Sequence, residues 1–504
     1  MQILKKIVKI LMAVVAAGLF VFLGMYLFFE ETYDSFFGSE GTVGFVLMDE
    51  VVLVEPLPLQ SSNPTVFDMF TRQRLNNIYE PLIRPDVDLN MKSALALNWG
   101  LLDDVTWEFN LRNDVKFHDG SEMGVLDAID SIDRARNDEN SQLKDLLSTI
   151  KEVRRVDADT LEIETYEPDP LLLSRLSTVY VVPQEWDEGG SVGTGAFMVS
   201  SYEVGEGKLV LERFEDYWGA RPFYEKATYL TAFGRTQRVQ SLTSDEADVL
   251  DYVPYDLVDQ LGDQFEVRAI PSLEVQFLAF NFKSNLFKNP VVRKAVAKAI
   301  DRRAFAEFVG GEYAHEVGQF VSSGVFGYDP DIEGVEYDLD EAESLIKKEG
   351  LYGEKVVIVL PYGLGVFGEY LIEVLDEIGL VADLTYVKSE YLVDTLWKID
   401  FDMYFLGFKS ELGDSSDFLK SLAYTGAPNN FGRYSNSEVD ELIEKQEVEM
   451  SAEDRLSYLQ DAMEILVEYD VFGVPLFEYE TLYAVRKGMP VDLRIDGFIF
   501  LQSL

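Results

Sequence analysis

Residues Ile10 to Phe29 run for 20 positions without a charge. A helix of that length rises about 30 Å, the thickness of a membrane's hydrocarbon core. Lys5, Lys6 and Lys9 precede the run, and Glu30, Glu31 and Asp34 follow it. The basic flank stays in the cytoplasm, so the rest of the chain is expected to fold outside it. A cleaved signal peptide has a shorter apolar stretch and ends on small residues. This run closes on Tyr26-Leu27-Phe28-Phe29-Glu30. Residues 1–30 therefore read as a cytoplasmic stub with an uncleaved transmembrane signal anchor, and 31–43 as a tether. No later segment has the length and polarity of a second span.

The chain is too long for one ordinary domain: 504 residues, 47% of them hydrophobic, suggest about two to four. Cysteine is absent, which excludes disulfides, thiolate metal sites and a lipid-modified cysteine as tether. Only His118 and His315 are available for imidazole chemistry, so a multi-histidine zinc site or a histidine-based triad is not expected. With 43 basic against 90 acidic residues, the surface repels nucleic acid and favours solubility. No H-E-x-x-H occurs. No catalytic residue, metal site or cofactor is assigned.

Beyond residue 43, strand and helix signals alternate, as in α/β domains with several crossings. Trp107 to Arg112 alternates apolar and polar residues, the period of a half-buried strand. Val115-Lys116-Phe117-His118 alternates again before the Asp119-Gly120 turn, with His118 on the solvated side. Asn289-Pro290 opens a helix whose apolar stripe is Val292, Ala295, Val296, Ala299 and Ile300, with Arg293, Lys294 and Lys298 mainly off it. Ser451 caps another helix. Val474 to Phe477 and Leu482 to Val485 read as strands.

Five segments, in this order, resemble the family 5 extracellular solute-binding proteins, the binding components of peptide and nickel ABC importers. They are Arg72 to Leu82, Trp107 to Gly120, Gly193-Thr194-Gly195-Ala196-Phe197, Asn289 to Asp301, and Tyr434 to Ile443. The resemblance implies a periplasmic-binding-protein-like type II fold, with two lobes about a hinge and an extra inserted domain. Lobe I is expected at 41–80, 190–270 and 480–504, the insertion at 81–189 and lobe II at 271–479. It implies a monomer that captures a peptide or peptide-like ligand by closing its lobes and delivers it to an ABC permease and its ATPase. A nickel chelate or a sugar in the same fold, or a surface-anchored hydrolase built on paired carboxylates, are the alternatives.

In peptide-binding members an acidic residue after a Gly-Trp pair receives the ligand's α-amino group. The matching segment here is Gly407-Phe408-Lys409-Ser410-Glu411-Leu412-Gly413-Asp414. The resemblance puts Glu411 at the acidic position, with Asp414 as rival carboxylate, Phe408 as an apolar wall and Lys409 at the peptide backbone. The segment departs from the family pattern: Phe408 stands for Trp, Glu411 for Asp, and an Asp-Pro after Gly413 is missing. From lobe I, Met69, Phe70 and Thr71 are expected beside the extended ligand, which would pair as an added strand.

Overall fold

The computed structural model describes residues 48–502 apart from 188 and 204–206. The expected anchor at 1–30 and tether at 31–43 lie outside the described residues. Among those described, no helix is long and apolar enough to cross a membrane.

Two long strands, Phe265–Phe280 and Gly473–Arg486, pair antiparallel and set the frame. Val474 to Phe477 and Leu482 to Val485 are thus parts of one strand, because Glu478-Tyr479-Glu480 between them stays extended against neighbouring strands. The register slips between Pro271 and Val275, leaving 272–274 outside that ladder. On one side of the slip the sheet continues through Val249–Leu250, Met48–Glu55, Tyr224–Thr231, Lys208–Arg213 and Phe197–Glu203. On the other it continues through Met403–Lys409, Lys355–Pro361 and Val381–Val387. Met48–Glu55 lies parallel to both its neighbours, and Lys355–Pro361 parallel to both of its own.

The period-2 alternation of these strands fills cores on both faces. In the first half Tyr483 and Val485 pack with Val51 and Leu53, while Leu482 and Ala484 pack with Val54 and Leu242. In the second half Leu278 and Phe280 join Val292 and Ile358, while Phe277 and Ala279 face Phe320, Phe418 and Phe472. Each buried Leu or Phe contributes about 1.5–3 kcal/mol of transfer free energy. A separate antiparallel sheet, in the order Ala96–Asp103, Thr106–Leu111, Thr160–Thr165 and Ile150–Arg155, has its own core around Phe109, Ile132 and Leu161.

Local signals hold at the helices. Asn289 Oδ1 accepts from the Val291 N–H at 3.0 Å, with Pro290 in the first turn. Ser451 Oγ accepts from the Asp454 N–H at 3.3 Å. The polar side of the helix Pro290–Ala299 is not solvated throughout, however. Arg293 is buried over the Phe282 ring and donates to the carbonyls of Phe287 (2.7 Å) and Asp470 (2.8 Å). Lys298 is buried as well.

Thr106–Leu111 is a strand, but Val115 to His118 is not; only an isolated bridge, Lys116 to Glu122, forms there. His118 is also not a solvated residue. Its Nδ1 accepts from the Gly193 N–H at 3.2 Å, so Nε2 carries the proton and donates to the Gly195 carbonyl at 2.9 Å. The Gly193-Thr194-Gly195 segment is clamped from the other side by Ile78 and Glu80. A Cβ on Gly195 would lie 2.6 Å from the Ile78 carbonyl carbon, so only glycine fits. Glu80, fully buried, accepts from Thr194 Oγ1 (2.9 Å), Tyr217 Oη (2.8 Å) and Trp218 Nε1 (2.8 Å), with Arg84 at 3.8 Å. Burial raises the Glu80 pKa, and Arg84 and the three donors act against that rise. Gly195→Ala is expected to lower stability by about 1–3 kcal/mol through overpacking, seen as a lower urea midpoint with an unchanged slope.

Candidate functional site

The register slip opens a cleft where the two halves of the sheet meet. Lys409 ends the strand Met403–Lys409 and is the ladder partner of Glu274 on the slipped segment. Its Nζ donates to the Asp496 carbonyl at 2.9 Å and to Met69 Sδ at 3.1 Å. Tyr252 Oη donates to the same sulfur at 3.1 Å. Gly497 closes this cluster: a Cβ there would lie 3.1 Å from Tyr252 Oη and 3.7 Å from Lys409 Nζ, at a φ of +86°. The chain approaches because glycine leaves it room.

Met69 lines two cavities. One, of about 80 Å³, is also lined by Glu411, Arg494, Asp496 and Leu89. The other, of about 390 Å³, is lined by Glu274, Lys409, Arg235, Arg238 and Tyr252. Glu411 is 46% exposed and lies 3.9 Å from Lys409, its one ion-pair contact among the described residues. Burial raises the Glu274 pKa; the Gln276 amide, donating at 2.5 Å, and Lys409 lower it, and Glu411 raises it again. Arg494 is buried, pairs with Asp496 at 2.8 Å, and donates to the Pro85 and Asp86 carbonyls at 2.9 Å each. This ties the C-terminal segment to the hairpin that carries Leu89.

The seven residues singled out from the sequence separate here. Met69, Lys409 and Glu411 come together around the cavities. Phe408 is half-buried, edge-on to Phe418 with 5.4 Å between centroids, and packs on the core. Phe70 lies against Tyr252, with centroids 6.1 Å apart. Thr71 is buried in the helix Met69–Leu75, its N–H held by Asp68 Oδ1 at 2.8 Å. Asp414, the rival carboxylate, is buried and doubly held by Arg455, at 2.6 and 2.8 Å, and by the Ser416 N–H at 3.0 Å. Its acceptor sites are occupied inside the protein, and it lines neither cavity.

Glu274, Arg238 and Tyr252 are cavity residues that the sequence did not single out. Glu274 had a signal: it and Gln276 are the only polar residues from Leu273 to Phe280. Arg238 and Tyr252 had none, since their side chains meet the cleft only through the packing of distant segments. Gly189-Gly190-Ser191-Val192-Gly193 matches the spacing of a hydrolase nucleophile elbow. It lacks the strand–turn–helix setting that exposes such a serine, because the segment is a loop leading to the strand Phe197–Glu203.

A family model described as bacterial extracellular solute-binding proteins, family 5 Middle, matches residues 90–430. The peptide transport periplasmic protein SapA of Salmonella typhimurium is 23% identical over 483 residues, covering 86% of this chain and 86% of SapA. Among solved structures, the periplasmic binding protein DppA from Helicobacter pylori, in complex with the peptide STSA, superposes with a TM-score of 0.73 at 21% identity, over 91% of this chain and 99% of its own. NikA from Staphylococcus aureus, in complex with Ni(L-His)2, gives 0.72 at 20% identity, over 89% and 98%. These likenesses establish a mixed α/β fold of the type II periplasmic binding proteins.

Arg455→Met should lower stability by about 3–5 kcal/mol, because Asp414 is left buried without its partner. Glu411→Gln, at an exposed position, should change it by no more than about 0.5 kcal/mol. Urea denaturation of the two variants side by side measures the difference.

Proposed function

The chain belongs to the bacterial extracellular solute-binding proteins of family 5, and from that premise we propose that it captures peptides outside the cytoplasm for an ABC importer. The observation that carries the peptide reading is Glu411. It is the carboxylate in the small cavity whose only ion-pair contact among the described residues is a lysine 3.9 Å away, and a ligand's α-ammonium supplies the stronger partner.

In this reading the protein binds without transforming its ligand. Residues 41–80, 190–270 and 480–504 form lobe I, 271–479 form lobe II, and 81–189 are the insertion. The hinge is the slipped segment between Pro271 and Val275, opposite Glu478 to Glu480, where the interstrand ladder is already interrupted. The ligand favours closure to the extent that it binds the closed form more tightly. The uncharged segment 10–29 holds the protein at the membrane as a monomer, and a permease with its ATPase receives the ligand.

Glu411→Gln should weaken binding of peptides with a free amino terminus roughly tenfold, and that of their N-acetylated forms less than about twofold. Calorimetry with both series measures this, and equal losses would remove Glu411 from the role. Native mass spectrometry of freshly purified protein separates a retained peptide from a nickel chelate. The full-length protein should stay with the membrane fraction; a mature chain beginning after residue 29 would show that the anchor is cleaved.

A further inference from the structure

Leu412 stands between two cavities. The small one is the cavity lined by Glu411. The other, of about 550 Å³, is lined from one side by residues of the stretch 145–175 and from the other by residues of the stretch 412–447, Asp417 among them. One hydrogen bond ties the two sides of Leu412 together: Asp417 Oδ2 accepts from the Leu412 N–H at 3.1 Å. The peptide unit that joins Glu411 to Leu412 is thus pinned from the far cavity, while the Glu411 side chain lines the near one. The turn is tight enough to transmit this. The Gly413 N–H donates to the Ser410 carbonyl at 3.0 Å, at a φ of +68° that glycine adopts freely.

Most charged groups around Asp417 are paired with one another. Arg455 holds Asp414 at 2.6 and 2.8 Å, Arg175 holds Asp169 at 2.5 Å, and Lys420 pairs with Glu447. Tyr424 donates to Glu444 at 2.7 Å. Asp145 lines the same cavity, and neither it nor Asp417 forms an ion pair among the described residues. Burial pushes the Asp417 carboxyl up to about 7; the Leu412 N–H and the charge of Arg175 act against the rise, and the charges of Asp414 and Glu411 add to it. On the cleft side, Lys409 and Glu274 also face Glu411, and burial raises Glu274 as well.

We propose that Asp417 is a positioning residue for Glu411, and that capture of the ligand's ammonium at Glu411 is coupled to release of a proton from Asp417. The proposal rests on the peptide-capture reading and deepens it. Glu411 and Asp417 repel each other while both are ionised, and an ammonium placed at Glu411 offsets that repulsion. Linkage is reciprocal: the ammonium makes Asp417 easier to ionise, and an ionised Asp417 makes the ammonium bind more tightly. The same ionisation strengthens the hold on the Leu412 N–H, because a carboxylate accepts more strongly than a neutral carboxyl. Affinity therefore rises as the pH rises through the Asp417 range, up to the point where the ligand's own amino group begins to lose its proton.

The test is calorimetry of the full chain, solubilised in detergent, with a tripeptide library free of Asp, Glu, His and Lys, between about pH 5.5 and 7.5. Affinity should rise roughly fivefold across that window. In two buffers of different ionisation enthalpy near pH 7, binding should release roughly a third of a proton. The N-acetylated library should show neither effect. Asp417→Asn keeps an acceptor for the Leu412 N–H and cannot ionise, so it should abolish the proton release and flatten the pH profile to within about twofold. Asp417→Ala, which removes the acceptor too, should bind roughly threefold more weakly than Asp417→Asn. Affinity independent of pH in the unaltered protein overturns the coupling and leaves peptide capture standing, whereas binding of no peptide at any pH overturns both. A pH profile that persists in Asp417→Asn assigns the proton elsewhere and also overturns it. Should that variant fail to fold, Glu274→Gln decides: proton release is expected to persist there, and its loss would move the proton to Glu274.

Discussion

The antiparallel pairing of Phe265–Phe280 with Gly473–Arg486 is the constraint on which the rest depends. One ladder serves two halves of the sheet, and each half builds cores on both of its faces. Where the ladder slips, at 272–274, the backbone leaves its partners on Gly473–Arg486 while Glu274 keeps Lys409 as its partner, and Glu274 lines the cleft. The cleft thus sits at the weakest point of the strongest shared element. Covalent continuity and hydrogen bonding hold the halves in register, while the slip brings polar groups to the cleft.

Charge is used in two distinct ways around this cleft. Asp414 with Arg455, and Glu80 with its three donors, are buried and hydrogen-bonded, and they fix loops. In the same loop, Leu412 N–H donates to Asp417 Oδ2 at 3.1 Å. With Asp414 and Asp417 turned inward, Glu411 is the carboxylate of that loop left at the cavity. A buried ion pair stabilises little in net terms because desolvation offsets attraction, but it strongly selects one arrangement of the loop that carries it. Here that arrangement is the one that presents Glu411.

Much of the fold was legible along the chain. The Asn289-Pro290 start, the Ser451 cap and the strand from Trp107 are local signals, and each corresponds to a local structural requirement. Legibility failed where a neighbour distant in sequence decided the outcome. Val115 to His118 alternates like a strand, yet His118 turns to the Gly193 and Gly195 backbone. Arg293 lies off the apolar stripe of its helix, yet it is buried over the Phe282 ring. Asp414 and Glu411 are equivalent by residue type and three positions apart, and only Arg455, 41 residues further on, distinguishes them.

By itself the sequence determined the class: an acidic, cysteine-free α/β chain with ordered family segments, an uncharged run near its start and a carboxylate loop around Glu411. The class and the uncharged run are carried by composition and periodicity, the ordered segments and the Glu411 loop by resemblance to the family. The tertiary structure alone decided which carboxylate faces the cavity, that Met69, Tyr252, Lys409 and the Asp496 carbonyl meet at one point, and that Arg238 lines a chamber with Glu274. These depend on segments hundreds of residues apart being brought within hydrogen-bonding distance, and no local pattern encodes a distance of that kind.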